Sequence, residues 1–125
     1  MTFAKGALEL APEHSGARLL LGRASLASCL ALSYTMWAAK LEVPLDGVEV
    51  NLETDYDARG QYGVDDSVPA GYLEIRYAVT LRTTAPDEEV NRLADTADRH
   101  TSFLEVWAQP QKLVRNLRIE RPEGA

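Results

Sequence analysis

The chain has 125 residues and a formal net charge of −6, and it contains one cysteine. This length suits a single domain over residues 1–125, while a lone cysteine excludes an internal disulfide and a zinc site built from thiolates. The acidic balance argues against the basic surface that binds nucleic acid, so we expect no nucleic acid partner.

The first strongly predicted element is a long helix. Residues 1–6 lack the pattern of a secretory signal, and residues 2–10 are a candidate strand or arm. Ser15 follows a turn and suits an N-cap. From Ala17 to Leu41 the chain is rich in Ala and Leu, has few β-branched residues and contains no proline, which predicts a helix.

The large apolar residues of this helix lie nearly all round its axis, so we expect it to be buried on most sides. Its uncharged stretch, residues 24–39, is short for a membrane span and is interrupted by polar residues. We therefore expect a cytoplasmic protein without a membrane partner. The apolar residues concerned are Leu19, Leu20, Leu21, Leu26, Leu30 and Trp37.

Two segments alternate apolar and polar residues, which predicts strands at residues 48–53 and 73–82. One polar face indicates a sheet that is wet on one side, and this favours antiparallel pairing. The connection, residues 54–70, is long and acidic, as mobile or functional loops often are. Its aspartates lack the spacing of a calcium loop, so we interpret it as solvated. They are Asp55, Asp57, Asp65 and Asp66.

The last third of the chain predicts two helices and a strand. Pro86 and the three acidic residues after it are typical of a helix start. Ser102 and Glu105 fit a capping box, which predicts a short helix that Pro110 ends. Residues 113–120 predict a final strand. The fold class is therefore α+β, with an antiparallel sheet packed on a long buried helix.

Cys29 lies in the middle of the first predicted helix. A reactive thiol must be partly ionised, which requires a nearby cation, a hydrogen-bond donor or a helix N-terminus. Ser25 and Ser33 share its helix face one turn away and are candidate donors, whereas Arg23 lies on a different part of the circumference. The residues alone favour a buried structural thiol and leave a reactive one open. His14 and His100 are far apart in the chain, which favours loop and helix-end roles over a metal or catalytic site, and no cofactor is predicted.

Residues 19–32, which read LLLGRASLASCLAL, resemble the central-helix signature of the OsmC/Ohr family, the osmotically induced and organic-hydroperoxide-resistance proteins. The elements that follow are similar in order and spacing. Residues 97–103, which read ADRHTSF, occupy the place of the family's second cysteine. The resemblance extends over residues 19–117.

The resemblance implies an OsmC-like fold, an intertwined homodimer with active sites at the subunit interface, and thiol-dependent reduction of hydroperoxides. Cys29 matches the cysteine that attacks the peroxide and becomes a sulfenic acid. In the family, this sulfenic acid then condenses with the second cysteine to form a disulfide. Thr101, or Ser102 if the match slips by one residue, stands at that second position. Neither forms a disulfide, so the usual two-cysteine cycle is not expected.

Two activating groups of the family also lack clear counterparts. The family's glutamate would fall near Leu19, and the nearest acid, Glu13, lies too early. Its arginine comes from an N-terminal hairpin, but only 28 residues precede Cys29 here, so we expect that hairpin to be shortened or absent. Arg18 and Arg23 are the candidate substitutes, and neither has a motif to support it.

Three hypotheses follow. The first is a one-cysteine hydroperoxide reductase in oxidative-stress defence, in which an external thiol restores Cys29. The alternative is a non-catalytic OsmC-like dimer that binds a small apolar ligand or a partner. The third is an interaction module that uses the loop of residues 54–70.

Overall fold

The computed structural model of the chain describes residues 17–122, with side chains from residue 20 onward. The helices are α1 (Ala17–Lys40), α2 (Ala58–Gln61), α3 (Asp87–Arg99) and α4 (Ser102–Ala108), and the strands are β1 (Gly47–Tyr56) and β2 (Tyr72–Arg82). The predicted α+β class is confirmed. The candidate strand at residues 2–10, the Ser15 cap, Glu13 and His14 lie outside the described residues.

Helix α1 buries one face. Its buried residues recur at helical spacing, and they form one apolar cluster with Val43 and with two residues of α3. The prediction that α1 is buried on most sides is wrong for the single chain: Leu20 is 54% exposed and Leu32 is 72% exposed. The reason is that the sheet, α3 and α4 pack against the same side of α1. The cluster consists of Leu26, Leu30, Tyr34, Ala38, Val43, Leu93 and Ala97.

The C-terminus of α1 is closed by backbone hydrogen bonds. Val43 N–H donates to the carbonyl of Ala38 at 2.9 Å, and Glu42 N–H donates to that of Ala39 at 3.3 Å. This is the Schellman pattern, which requires a left-handed residue after the helix. Glu42 takes that conformation, with φ of 57°. The turn brings Val43 back into the core, where it is 5% exposed.

Strands β1 and β2 form a two-stranded antiparallel sheet, as the alternation predicts. Val48 faces Leu81 and Val50 faces Val79, so the apolar residues of both strands share the face that packs on α1. The opposite face is charged. Its centre is Arg76, whose guanidinium lies 2.7 Å from Asp55 and 3.2 Å from Glu74.

The connection between the strands is shorter than predicted, because β1 continues to Tyr56. Asp57 caps the single turn of α2 by accepting a hydrogen bond from the backbone N–H of Arg59. The same Arg59 side chain bonds the Asp57 carboxylate and holds the pKa of that carboxyl below its ordinary value. Gly60 then packs directly on the backbone of Pro69, where a Cβ would overlap the carbonyl oxygen.

The prediction of a final strand at residues 113–120 is wrong for the single chain. The segment concerned is residues 109–122. They form neither helix nor strand, and their side chains are exposed. A strand requires a neighbour to accept its hydrogen bonds, and none of the described residues pairs with this segment. Within residues 17–122, the helices are too short or too polar to cross a membrane.

Candidate functional site

Cys29 and Ser102 meet where α1 contacts α4. The Cys29 sulfur lies 3.6 Å from the Ser102 hydroxyl oxygen, and the thiol is partly buried. The flanking residues Leu26 and Leu30 are fully buried. Helix packing therefore holds the backbone of Cys29 in place while its sulfur reaches the edge of the core.

The hydroxyl that faces Cys29 belongs to a different element from the one that the sequence suggested. Ser33 donates instead to the carbonyl of Ala97 at 3.3 Å, and Ser25 is exposed. The turn between α3 and α4 brings Ser102 to the sulfur. This contact joins residues far apart in the chain, so the periodicity of a single helix cannot predict it.

Thr101 and Ser102 have different environments. Thr101 is 1% exposed, and its hydroxyl donates to the Ala97 carbonyl at 2.6 Å. Ser102 is exposed and faces the Cys29 sulfur. Of the two positions that the resemblance left open, the structure brings Ser102 to Cys29, and Thr101 faces the backbone of α3.

The start of α4 differs from the predicted capping box. Thr101, not Ser102, is the N-cap residue, and its side chain makes no capping hydrogen bond. The reason is that the Thr101 hydroxyl is already bonded to Ala97, one turn back in α3. This leaves the Ser102 side chain outside the cap and available to the sulfur.

A second polar cluster lies one to two turns further along α1. Tyr34 donates a hydrogen bond to Asp98 at 2.7 Å, and Tyr77 of β2 donates to the other carboxylate oxygen at 3.0 Å. Burial, followed by the hydrogen bond to Asp98, raises the pKa of the Tyr34 phenol well above its ordinary value. Because it joins α1, α3 and β2, this cluster fixes the position of α3 and hence of the turn that carries Ser102.

Sequence reasoning missed this cluster. Tyr34 continues the apolar stripe of α1 four residues after Leu30, and a buried tyrosine hydroxyl needs a partner. That requirement was a usable signal, but the partner, Asp98, is 64 residues away and nothing local marks it.

Arg23 lies beside Tyr72, the first residue of β2. Burial raises the pKa of Tyr72, and the positive charge of Arg23 opposes part of that shift. Among the described side chains, no arginine makes a hydrogen bond to Cys29. The Arg18 side chain, the other candidate, lies outside the described set.

His100 stacks on Trp37, with ring centroids 4.9 Å apart, and Lys40 lies over the same indole at 4.8 Å. This contact gives His100 a packing role at the end of α3. Residues 17–122 contain no group of His, Cys, Asp and Glu that is placed to hold a metal ion.

A largely apolar cavity of about 350 Å³ lies between α1, α4 and β2, and neither Cys29 nor Ser102 lines it. Its wall includes Leu26, three residues before Cys29, and Leu104, two residues after Ser102. Trp107 and Tyr72 form the other end. Trp107 also packs on Gly22, where a Cβ would come within 2.8 Å of the indole ring, so the close contact of α4 with α1 depends on that glycine.

One protein family model spans the part of the chain that contains Cys29. That part also includes most of α1, the two strands, α3 and α4. The model of the OsmC-like proteins matches residues 19–113, which is most of the chain. The chain belongs to the OsmC-like family. No curated protein matches the sequence.

The match covers both sides of the Cys29–Ser102 contact. This OsmC-like chain therefore has its one cysteine on α1 and a serine hydroxyl facing it across the α1–α4 contact. A serine hydroxyl in that place can donate a hydrogen bond to a thiolate, but it cannot form a disulfide.

Proposed function

We propose that this OsmC-like protein reduces small organic hydroperoxides through Cys29 alone, with an external thiol as the reductant. The observation that carries the proposal is the Cys29–Ser102 contact of 3.6 Å within a chain of this family. A hydroxyl at that distance supplies a donor to the thiolate, which is the form of cysteine that attacks a peroxide.

The proposed cycle has three steps. The Cys29 thiolate attacks one oxygen of the hydroperoxide, the O–O bond breaks, and the alcohol leaves after taking up a proton. The resulting sulfenic acid reacts with an external thiol to form a mixed disulfide and water. A second external thiol attacks that disulfide, restores Cys29 and leaves as the disulfide of the reductant.

Ser102 acts in this scheme as a positioning and donor residue. A thiolate has no proton to donate, so the hydroxyl must be the donor once Cys29 is ionised. The neighbouring cavity, lined by Leu26 and Leu104, supplies an apolar wall for the organic part of the hydroperoxide.

Intact mass spectrometry after treatment with cumene hydroperoxide tests the proposal. We expect Cys29 to gain one oxygen and to return to its starting mass with excess thiol, while Cys29→Ser gains nothing. Ser102→Ala should react about tenfold more slowly, because one hydrogen bond to the charged thiolate is lost. Ser28→Ala, at an exposed position next to Cys29, is the matched control and should react at the wild-type rate.

A wild-type protein whose Cys29 stays unmodified by hydroperoxide would contradict the proposal. A rate that is the same in Ser102→Ala and in Ser28→Ala would remove Ser102 from the mechanism but leave Cys29 as the nucleophile.

The cavity favours a second candidate function, the binding of a small apolar ligand without catalysis. Trp107 lines the cavity, so its fluorescence should respond to an aliphatic alcohol in the Cys29→Ser protein. Rapid labelling of wild-type Cys29 by iodoacetamide near neutral pH would count against this candidate, which requires an inert thiol.

We also propose that the protein is a homodimer, as its family resemblance implies. The exposed apolar residues of α1, Leu32 and Met36 among them, support this assembly, because a single chain leaves them in water.

A further inference from the structure

Helix α4 forms one wall of the cavity between α1, α4 and β2. Three of its seven residues, Leu104, Trp107 and Ala108, line that cavity. The same helix begins with Ser102, whose hydroxyl faces the Cys29 sulfur. One short helix therefore carries both a wall of the cavity and the polar contact to the thiol.

The position of α4 depends on what it packs against. A helix of seven residues is not stable alone, so tertiary contacts hold it in place, and none of its residues is buried. The start of α4 is anchored by the hydrogen bond from Thr101 to the carbonyl of Ala97. Its last turn packs Trp107 on Gly22 and faces the cavity. The content of the cavity therefore affects the direction of the helix and of the side chains at its start.

The opposite wall of the cavity belongs to the sheet and is fixed. Its residues lie on β2, which pairs with β1 along its length. Tyr77 of this wall donates a hydrogen bond to Asp98 of α3 at 3.0 Å. Glu74 of the same wall accepts a hydrogen bond from Arg76 at 3.2 Å. A molecule in the cavity would lie between a fixed sheet and the helix that carries Ser102, and it would restrain that helix.

The cavity fits a small, neutral aromatic molecule. Its volume of about 350 Å³ is at the small end for ligand pockets, which span about 300–1,000 Å³. The rings of Tyr72 and Trp107 line it, with centroids 5.3 Å apart and planes tilted by 31°, and aromatic rings favour a further ring as a neighbour. The Tyr77 hydroxyl and the Glu74 carboxylate already have partners, and the charge of Glu74 disfavours an anion.

We infer that a neutral aromatic molecule binds in this cavity and, by restraining α4, holds Ser102 at the Cys29 sulfur and makes the thiol more reactive. Neither Cys29 nor Ser102 lines the cavity, so this ligand acts through α4 and is not itself the molecule that reacts. The inference rests on the donor role that we propose for Ser102.

Binding of 1-aminonaphthalene to the full chain tests the site, because this probe is neutral at pH 7 and fluoresces more strongly in apolar surroundings. We expect Ala108→Phe to weaken the binding at least about tenfold, since the new ring takes up space at the cavity wall. Val106→Phe is the matched control. It puts the same ring on α4 at a position that is 45% exposed and outside the cavity wall, and it should bind the probe as the wild type does.

The rate at which iodoacetamide labels Cys29 at pH 7 measures the coupling. Iodoacetamide is small and does not need the apolar wall that we propose for a hydroperoxide. We expect saturating 1-aminonaphthalene to raise the labelling rate about fivefold, which is at the low end for coupling between two sites of one protein. Ser102→Ala should bind the probe and lose this acceleration, whereas Ser28→Ala, exposed and next to Cys29, should keep it.

The site, its coupling and the proposed reaction fail in different ways. Equal probe binding by Ala108→Phe and Val106→Phe would overturn the cavity as the site. A labelling rate that the bound probe leaves unchanged, or an acceleration that persists in Ser102→Ala, would overturn the coupling through α4. Accelerated labelling of a Cys29 that hydroperoxide leaves unmodified would overturn the proposed reaction and support this inference.

Discussion

Tyr34 brings a hydroxyl into the hydrophobic core, and Asp98 satisfies it. The side chain is 2% exposed, and the hydrogen bond of 2.7 Å is one that a buried phenol needs. Because burial and Asp98 both disfavour the ionised phenol, the folded protein holds its proton to a higher pH than the unfolded chain does.

This difference predicts how stability depends on pH. An unfolded tyrosine loses its proton near pH 10, so above that pH the folded state binds more protons and the free energy of unfolding falls. The contribution is fully present below pH 10. We expect Tyr34→Phe to lower the free energy of unfolding at pH 7 by about 1–3 kcal/mol, because Asp98 loses a donor, and to make the alkaline loss shallower.

Urea unfolding at pH 7 and at a series of pH values above 9 measures both effects. Tyr77, whose pKa is also raised by burial and by Asp98, should retain part of the alkaline slope. Tyr56→Phe controls for the loss of a phenol at a position that is 45% exposed. An alkaline slope that is the same in Tyr34→Phe and in the wild type would show that Tyr34 is not held in its neutral form.

At the scale of single residues, the sequence left two candidates, Thr101 and Ser102, for the position that contacts Cys29. The family pattern placed the second position at Thr101 or at Ser102, and the phase of a seven-residue helix decides which one faces Cys29. That phase depends on the Thr101 hydroxyl bonding back to α3, which is a tertiary contact. The chemical roles of Cys29 and of the second position remain predictions.

At the scale of elements, local patterns identified α1, β1, β2, α3 and α4. Period-two alternation and helix-start residues are properties of a short window, so they survive in a single sequence. The predicted strand at residues 113–120 also has β-forming residues, but it lacks a neighbour in the single chain. A pattern can show that a segment suits a strand, but pairing depends on the rest of the molecule.

The sequence predicted where α1 ends but not the backbone conformation that ends it. Pro44 and the Asp46–Gly47 pair follow the helix in the sequence and are typical of its end, but the backbone reverses at Glu42, which lies in the left-handed region. Glycine is the usual residue there, since a side chain at positive φ is strained. Nothing in a glutamate signals that conformation.

We therefore predict that Glu42→Gly stabilises the fold relative to Glu42→Ala by about 1 kcal/mol, because only glycine adopts φ of 57° without strain. The alanine variant is the control for loss of the charged side chain. Thermal or urea unfolding of the two variants measures the difference. Equal stability, or a more stable alanine variant, would contradict the assignment of strain to this residue.

At the scale of the whole molecule, one side of the fold is complete and the other is open. The core of α1, α3 and the sheet is closed, while Leu32 of α1 and the side chains of residues 109–122 remain exposed. The expectation that α1 is buried on most sides was therefore wrong for one chain, although it came from a real feature of the sequence, the apolar residues all round the helix.

Ser102 faces Cys29 at a distance where a second cysteine could form a disulfide, and the proposed one-cysteine chemistry depends on that contact. Ser102→Cys and Thr101→Cys, checked for folding by circular dichroism and treated with one equivalent of cumene hydroperoxide, test it by non-reducing intact mass. We expect Ser102→Cys to lose two hydrogens, as its new thiol forms a disulfide with Cys29 within the chain, while Thr101→Cys gains one oxygen and forms no disulfide. A disulfide in Thr101→Cys and none in Ser102→Cys would contradict it.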